Sequence, residues 1–189
     1  MGSWGMATSE PVRPATARDG AAHDRIRTAR LDLVPLAVSD ADEMTAVLGD
    51  ERLYAFVGGH PPTTAQLRAR YARLVVGRSP DGAQQWCNWI ARQRDGRAVG
   101  TVQATITAAG RAAEIAWVIG VAWQGQGLAS EAVRGLVEWL AARGVRTITA
   151  HIHPDHRASA TVAARAGLAP TVEMHEGEQV WRRDLARAS

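Results

Sequence analysis

Val121-Ala122-Trp123-Gln124-Gly125-Gln126-Gly127-Leu128-Ala129 leaves an apolar, strand-like segment, passes through two glycines and enters a long pattern of helical period. In that helix Leu128, Ala132, Leu136, Trp139 and Leu140 line one face, Arg143 sits in the last turn and Gly144 follows as the C-terminal cap. A strand, glycine turn and helix in this order aim unpaired backbone N–H groups at one point. An anion there meets those donors and the positive end of the helix dipole, and glycine lets a phosphate approach where a Cβ would block it. Pyrophosphate is the natural guest. The spacing is not the G-x-x-x-x-G-K-[ST] phosphate loop, and it lacks the third glycine of the dinucleotide fingerprint. On this segment alone, a glycine-rich turn without a ligand is an equally good reading.

Upstream, Glu114 to Val121 reads as the strand that enters the turn, and Gly110-Arg111 as the turn before it. Gln85 to Gln93 and Ala98 to Thr107 flank Arg94-Asp95-Gly96-Arg97, which predicts a hairpin. Thr63 or Thr64 caps a helix carrying Leu67, Tyr71, Leu74 and Val75 at helical spacing, after the loop Gly58 to Pro62. Ser39 is the expected cap of an earlier helix, acidic at Asp40, Asp42 and Glu43, that ends near Leu48 and Gly49. A first strand contains Leu31, Leu33 and Pro35. Downstream come a strand over Val145 to Ile152, a helix over Ala158 to Ala166 ended by Gly167, and strands near Ala169 to Val172 and Gln179 to Asp184. The pattern predicts an α/β (α+β) fold with one mixed sheet and flanking helices. Residues 1–25, rich in Gly, Ala, Ser, Pro and Arg without apolar period, are expected to be a flexible tail, and 26–189 one domain.

Composition narrows the function classes. No apolar run approaches the ~20 residues of a membrane span, and the N-terminus lacks the apolar stretch of a secretory signal, so a soluble, cytoplasmic protein with no membrane partner is expected. Cys87 is the only cysteine, which excludes an internal disulfide and a multi-cysteine metal site. All 22 basic residues counted as Lys+Arg are arginine, yet the formal net charge is only +3, so no nucleic-acid partner is expected.

Gln124-x-x-Gly127-x-Ala129 resembles the Q/R-x-x-G-x-G/A acyl-CoA signature of the GNAT superfamily of N-acetyltransferases. The likeness runs from about Thr28 to Leu185. Thr28-Ala29-Arg30-Leu31, Glu114-Ile115-Ala116-Trp117 and Gly177-Glu178-Gln179-Val180-Trp181 are similar to the branch of ribosomal-protein N-terminal acetyltransferases. The resemblance implies a mostly antiparallel, twisted sheet whose central strands splay apart, and acetyl-CoA as cosubstrate, with no metal. It implies that the backbone of Ile119, Gly120 and Val121 pairs with the pantetheine arm. Gln124, Gly125, Gln126, Gly127, Leu128, Ala129 and Ser130 would surround the pyrophosphate, and Ser159 would complete the cofactor site. Glu131, one turn into the helix, suits the dipole but would repel phosphate, so it should face away from the ligand.

Acetyl transfer to an amine needs a neutral nucleophile, a proton acceptor, and stabilisation of the departing thiolate. Glu114 is the candidate acceptor, at a position where some family members carry a catalytic glutamate; a solvated strand carboxylate is the plain alternative. The family's N-x-x-S segment is here His156-Arg157-Ala158-Ser159, so histidine replaces the asparagine. The tyrosine that protonates the thiolate in many relatives is absent, since Tyr54 and Tyr71 lie far upstream, leaving Ser159, His156 or water. His151 and His153 share a strand face with His156 close by, but packing or substrate contact suits them better than zinc. Trp86, Trp89, Trp117 and Trp123 divide between core packing and a substrate groove with the loop Gly58 to Pro62. The expected enzyme is an acetyl-CoA-dependent N-acetyltransferase, monomer or homodimer, acting on a small-molecule amine or a protein N-terminus. A non-catalytic CoA sensor and a ribosome-associated protein are the rival readings.

Overall fold

The structure, a computed structural model, describes residues 23–56, 58–107 and 109–185. Ile26–Arg27 (β1) and Leu31–Pro35 (β2) begin it, followed by a short 3-10 turn and the helix Ala41–Val47 (α1). Thr64–Leu74 (α2) precedes a three-strand meander of Gln84–Gln93 (β3), Ala98–Thr107 (β4) and Ala112–Ile119 (β5). Leu128–Ala142 (α3), Thr147–Ile152 (β6), Arg157–Arg165 (α4), Ala169–His175 (β7) and Glu178–Asp184 (β8) complete it.

The eight strands form one sheet in the order β1-β2-β3-β4-β5-β6-β8-β7. Every neighbouring pair is antiparallel except β5 and β6, which run parallel because the helix α3 carries the chain from one to the other. That parallel pairing is short. It runs from Ala112↔Thr147 to Glu114↔Thr149 and then stops, although β5 continues to Ile119 and β6 to Ile152. The two strands therefore diverge into a wedge beyond Glu114.

Helices cover both faces. Leu128, Ala132, Leu136 and Leu140 of α3 are buried against Leu33, Trp89 and Val102, with Val162 and Ala163 of α4 in the same cluster. On the other face Met44, Val47, Leu67 and Tyr71 of α1 and α2 pack against Ile90 and Ala98. The strand β3 is buried on both sides because its alternating residues feed both clusters.

Local signals explain the helix ends, with one correction. Thr63, one of the two caps the sequence offers, is the N-cap of α2 and forms a capping box with Gln66. Ser39 does not cap α1; it lies inside the 3-10 turn Val38–Asp40, and the Asp40 carboxylate instead accepts from the Ala37 N–H at 2.7 Å. At the other end of the chain, β7 extends to His175 where the sequence suggests Val172, because Glu176 and Gly177 take φ of 49° and 86° and make a tight hairpin turn.

The tail expected over residues 1–25 lies outside the described residues as far as residue 22. His23 and Asp24 are packed. The His23 Nε2 lies 2.9 Å from the Asn88 carbonyl, its ring meets Trp89 edge-on at 4.4 Å, and Trp89 Nε1 donates to the Asp24 carbonyl at 3.0 Å. An isolated histidine seated on a tryptophan leaves no periodic trace in the sequence.

Candidate active site

The wedge between β5 and β6 opens into a cavity of about 720 Å³ bounded by the glycine turn, the N-terminal turn of α3 and the helix α4. Its first wall is β5. The Gly120 N–H donates to Val99 O on β4, so alternation along the strand turns the backbone of Trp117 and Ile119 toward the wedge. Of the three backbone positions implied for pantetheine, Ile119 faces the cavity. Gly120 faces β4, and Val121 belongs to a 3-10 turn, Val121–Trp123, where the sequence suggests continuing strand. The strand stops because Gln124 folds back: its Nε2 donates to Ile119 O at 3.0 Å and its N–H to Val121 O.

The glycine turn has the geometry expected of an anion cradle. Gly125 and Gly127 have φ of 75° and 77°, the left-handed region that a Cβ disfavours. Gly127 occupies the N-cap position of α3 without any side-chain cap, and the first intrahelical bond is Glu131 N–H to Gly127 O. The N–H groups of Leu128, Ala129 and Ser130 therefore precede the helical ladder and remain open to a ligand. Gln124, Gly125, Gly127, Leu128, Ala129 and Ser130 line the cavity. Gln126 does not: its carbonyl accepts from Arg30 Nη1 and its side-chain amide reaches back to the Ala122 carbonyl. Glu131 faces away from the cavity, as electrostatics requires, toward Thr28 and Arg30.

On the opposite wall, His156 and Ser159 form a defined pair. His156 caps α4: its Nδ1 accepts from the Ser159 N–H at 3.2 Å. An acceptor Nδ1 in a neutral ring leaves the proton on Nε2, which lies 3.4 Å from Ser159 Oγ. Burial, aided by the neighbouring His153, pushes the His156 pKa below the usual histidine value despite a raising backbone contact, so the ring is neutral near pH 7. The Oγ thus accepts a hydrogen bond from the imidazole N–H and keeps its own proton to donate to a ligand in the cavity. Histidine at this position thus serves α4 as its N-cap.

At the deep end, where the strands part, Glu114 Oε1 is 4.0 Å from His151 Nδ1, with half of the Glu114 side chain exposed. His151 stacks on His175 with centroids 5.0 Å apart. Glu178 enters the same cavity from β8 and is 6% exposed, yet its carboxylate has no hydrogen-bond partner among the described residues. Glu178 shares the inward face of β8 with buried Val180, so strand period places it there, but a carboxylate in that run gives no local sign that its face meets a cavity. Phe56 was likewise unforeseen. It stacks on His156 at 4.5 Å and on His153 at 5.5 Å, closing the cavity rim together with Leu53.

The tryptophans divide as follows. Trp117 and Trp123 line the cavity, whereas Trp89 is fully buried and meets Trp139 edge-on. The loop 58–62 contributes no cavity wall among the described residues; Arg52, Leu53 and Phe56 take that place. Cys87 lies in the core, and burial pushes its thiol up to about 11, so it is no nucleophile. Among the described residues no group of three or more His, Cys, Asp or Glu side chains is placed to hold a metal ion.

The model of the acetyltransferase (GNAT) domain family matches residues 30–169, which takes in the wedge, the glycine turn and α4. The chain belongs to the GNAT acetyltransferase family. It is accordingly an acyltransferase. Among solved structures, RimL, the ribosomal L7/L12 alpha-N-protein acetyltransferase in complex with coenzyme A, is similar with a TM-score of 0.72 and 17% identity, over 86% of this chain and 98% of that one. A putative ribosomal-protein-serine acetyltransferase from Vibrio cholerae matches with a TM-score of 0.70 and 18% identity, over 87% and 99%. AAC(6')-Ib in complex with paromomycin and acetyl-CoA matches at 0.68 and 19%, over 82% and 93%. These structural similarities establish a shared fold. A search of curated proteins found no significant sequence match. No helix of the described residues is long and apolar enough to cross a membrane.

Proposed function

We propose that this GNAT protein transfers acetyl from acetyl-CoA to a primary amine by direct attack within a ternary complex. The observation that carries this is the cavity itself, which has an anion cradle at one end and unpaired carboxylate at the other. Pyrophosphate sits on the N–H groups of Gly127 to Ser130, and pantetheine runs along the open edge of β5 past Ile119 and Trp117. The thioester then lies in the wedge.

Glu178 and Glu114 flank the amine. The Glu178 carboxylate opens onto the cavity without a hydrogen bond from the described residues, and an ammonium group is its natural complement. Glu178 holds the incoming amine, and the half-exposed Glu114 passes its proton to water, directly or by way of His151. The freed amine attacks the thioester carbonyl, a C–N bond forms, the nitrogen gives its second proton to water, and the tetrahedral centre collapses to the neutral amide with loss of the C–S bond. The Ser159 hydroxyl donates to the departing sulfur, aligned by the His156 Nε2–H behind it. The thiolate takes its final proton from solvent.

Support for a protein N-terminus or a small amine as acceptor comes from neighbours of both kinds, RimL and AAC(6')-Ib. A thiol-release screen of amines and N-terminal peptides tests the reading. Release that depends on both acetyl-CoA and an amine is expected; CoA binding without any turnover would favour a sensor instead.

A further inference from the structure

Behind the glycine turn, the segment 28–31 is tied to α3 by short contacts that the cofactor reading does not use. Glu131 Oε1 accepts from the Thr28 hydroxyl and from the Arg30 backbone N–H, each at 2.6 Å, and Oε2 accepts from Arg30 Nε at 2.7 Å. The same guanidinium donates through Nη1 to the Gln126 carbonyl at 3.0 Å. Thr28 approaches α3 closely because the helix carries Gly135 there; a Cβ at that position would lie 2.7 Å from Thr28 Cγ2. Thr28, Arg30 and Glu131 stand behind the cavity wall and do not line it.

We infer that Arg30 and Glu131 form a brace that aims the glycine turn at the cofactor pyrophosphate, which makes Arg30 a positioning residue for acetyl-CoA. The inference rests on the proposed cofactor reading. Peptide geometry supplies the first reason. In a trans peptide the C=O of one residue and the N–H of the next point in opposite directions. Holding the Gln126 carbonyl back toward Arg30 therefore turns the Gly127 N–H forward, toward the cradle. Released, that peptide is free to flip and present an oxygen to phosphate.

Charge supplies the second reason. Glu131 lies in the first turn of the helix that receives the pyrophosphate, where its carboxylate favours the dipole and opposes the ligand. Burial acts to raise its pKa, but the hydrogen bonds from Thr28 and Arg30 outweigh burial and hold it below the usual carboxylate value, so it is ionised. Arg30 neutralises that charge on the side away from the cavity. Without the Arg30 side chain the carboxylate would keep the Thr28 hydroxyl and the residue-30 N–H but lose its neutralising cation, one turn from the phosphates.

Calorimetric titration of CoA into the wild type, Arg30→Ala, and the double variant Arg30→Ala/Glu131→Gln tests the brace, with melting curves to confirm that each is folded. Hydrogen bonds to charged groups set the expected loss, so Arg30→Ala should weaken CoA by about tenfold to a hundredfold. Removing the freed charge in the double variant should restore about threefold or more. An unchanged affinity in folded Arg30→Ala, or a double variant as weak as the single, would overturn the brace. Should Arg30→Ala prove too unstable to titrate, Arg30→Lys keeps the cation and loses the fork; a loss of about tenfold is expected, and wild-type affinity would overturn the proposal. Wild type that fails to bind CoA would instead remove the cofactor reading itself.

Discussion

Gly127→Ala separates the cofactor cradle from the fold. Gly127 sits at φ 77°, where an L-residue carries a penalty of about 1–2 kcal/mol. The added Cβ meets nothing nearer than Arg30 Nη2 at 3.6 Å, an ordinary contact, so no clash adds to the strain. In a chain of this size each kcal/mol lowers the melting temperature by about 2–4 °C, and a fall of about 2–8 °C is expected in a protein that still folds. Relief of the strain comes from rotating the peptides on either side of residue 127, and those peptides carry the donors for pyrophosphate. Loss of one charge-assisted hydrogen bond, about 1.5–3 kcal/mol, weakens CoA roughly tenfold to a hundredfold. Thermal melts paired with calorimetric titration at fixed ionic strength measure both quantities on one preparation. A variant that melts several degrees lower yet binds CoA with the wild-type Kd would refute the cradle. Gly127→Val should be worse on both counts, since branching at Cβ adds strain in this region.

Glu114→Gln, which removes the proton acceptor, should lower kcat by about 10²- to 10⁴-fold with CoA affinity kept, and Glu178→Gln should act chiefly by raising KM for the amine; pH–rate profiles of both variants against wild type check this. An unchanged KM and kcat in Glu178→Gln would assign that carboxylate no part in holding the amine. Cys87→Ala should retain turnover within about twofold, because a thiol pushed up to about 11 in the core takes no part in transfer. Burial lowers the His23 pKa below 6.5, so the native state prefers the neutral ring: stability is complete above about pH 6.5 and falls as pH drops below it. Urea melts across that range should show a shallower acid decline in His23→Gln. Thr63→Ala removes the capping box of α2 and should cost about 1 kcal/mol, read from the shift in urea midpoint.

Much of this architecture was written in local chemistry. The hairpin β3–β4, the helix α3 with its terminal Gly144 and the glycine turn follow from period and turn residues that act over a few positions. The inward or outward sense of Glu131 followed from electrostatics alone. What escaped depends on contacts distant in sequence: Glu178 meets the cavity because the inward face of β8 lies beside β6, Phe56 by stacking on histidines a hundred residues away, and His23 by docking on Trp89. The end of β5 was misread for a related reason. Nothing in Gly120-Val121 forbids a strand; the chain turns there because the Gln124 side chain satisfies Ile119 O, a contact visible only once the turn is folded.

Single-turnover mixing of the protein with acetyl-labelled acetyl-CoA, followed by addition of an accepting amine found in the screen, tests direct transfer most plainly. The account predicts no acetyl group on the protein before the amine is added, and afterwards one acetyl on the acceptor for each free thiol released. An acetylated protein intermediate that forms with acetyl-CoA alone and then discharges to the amine would contradict it.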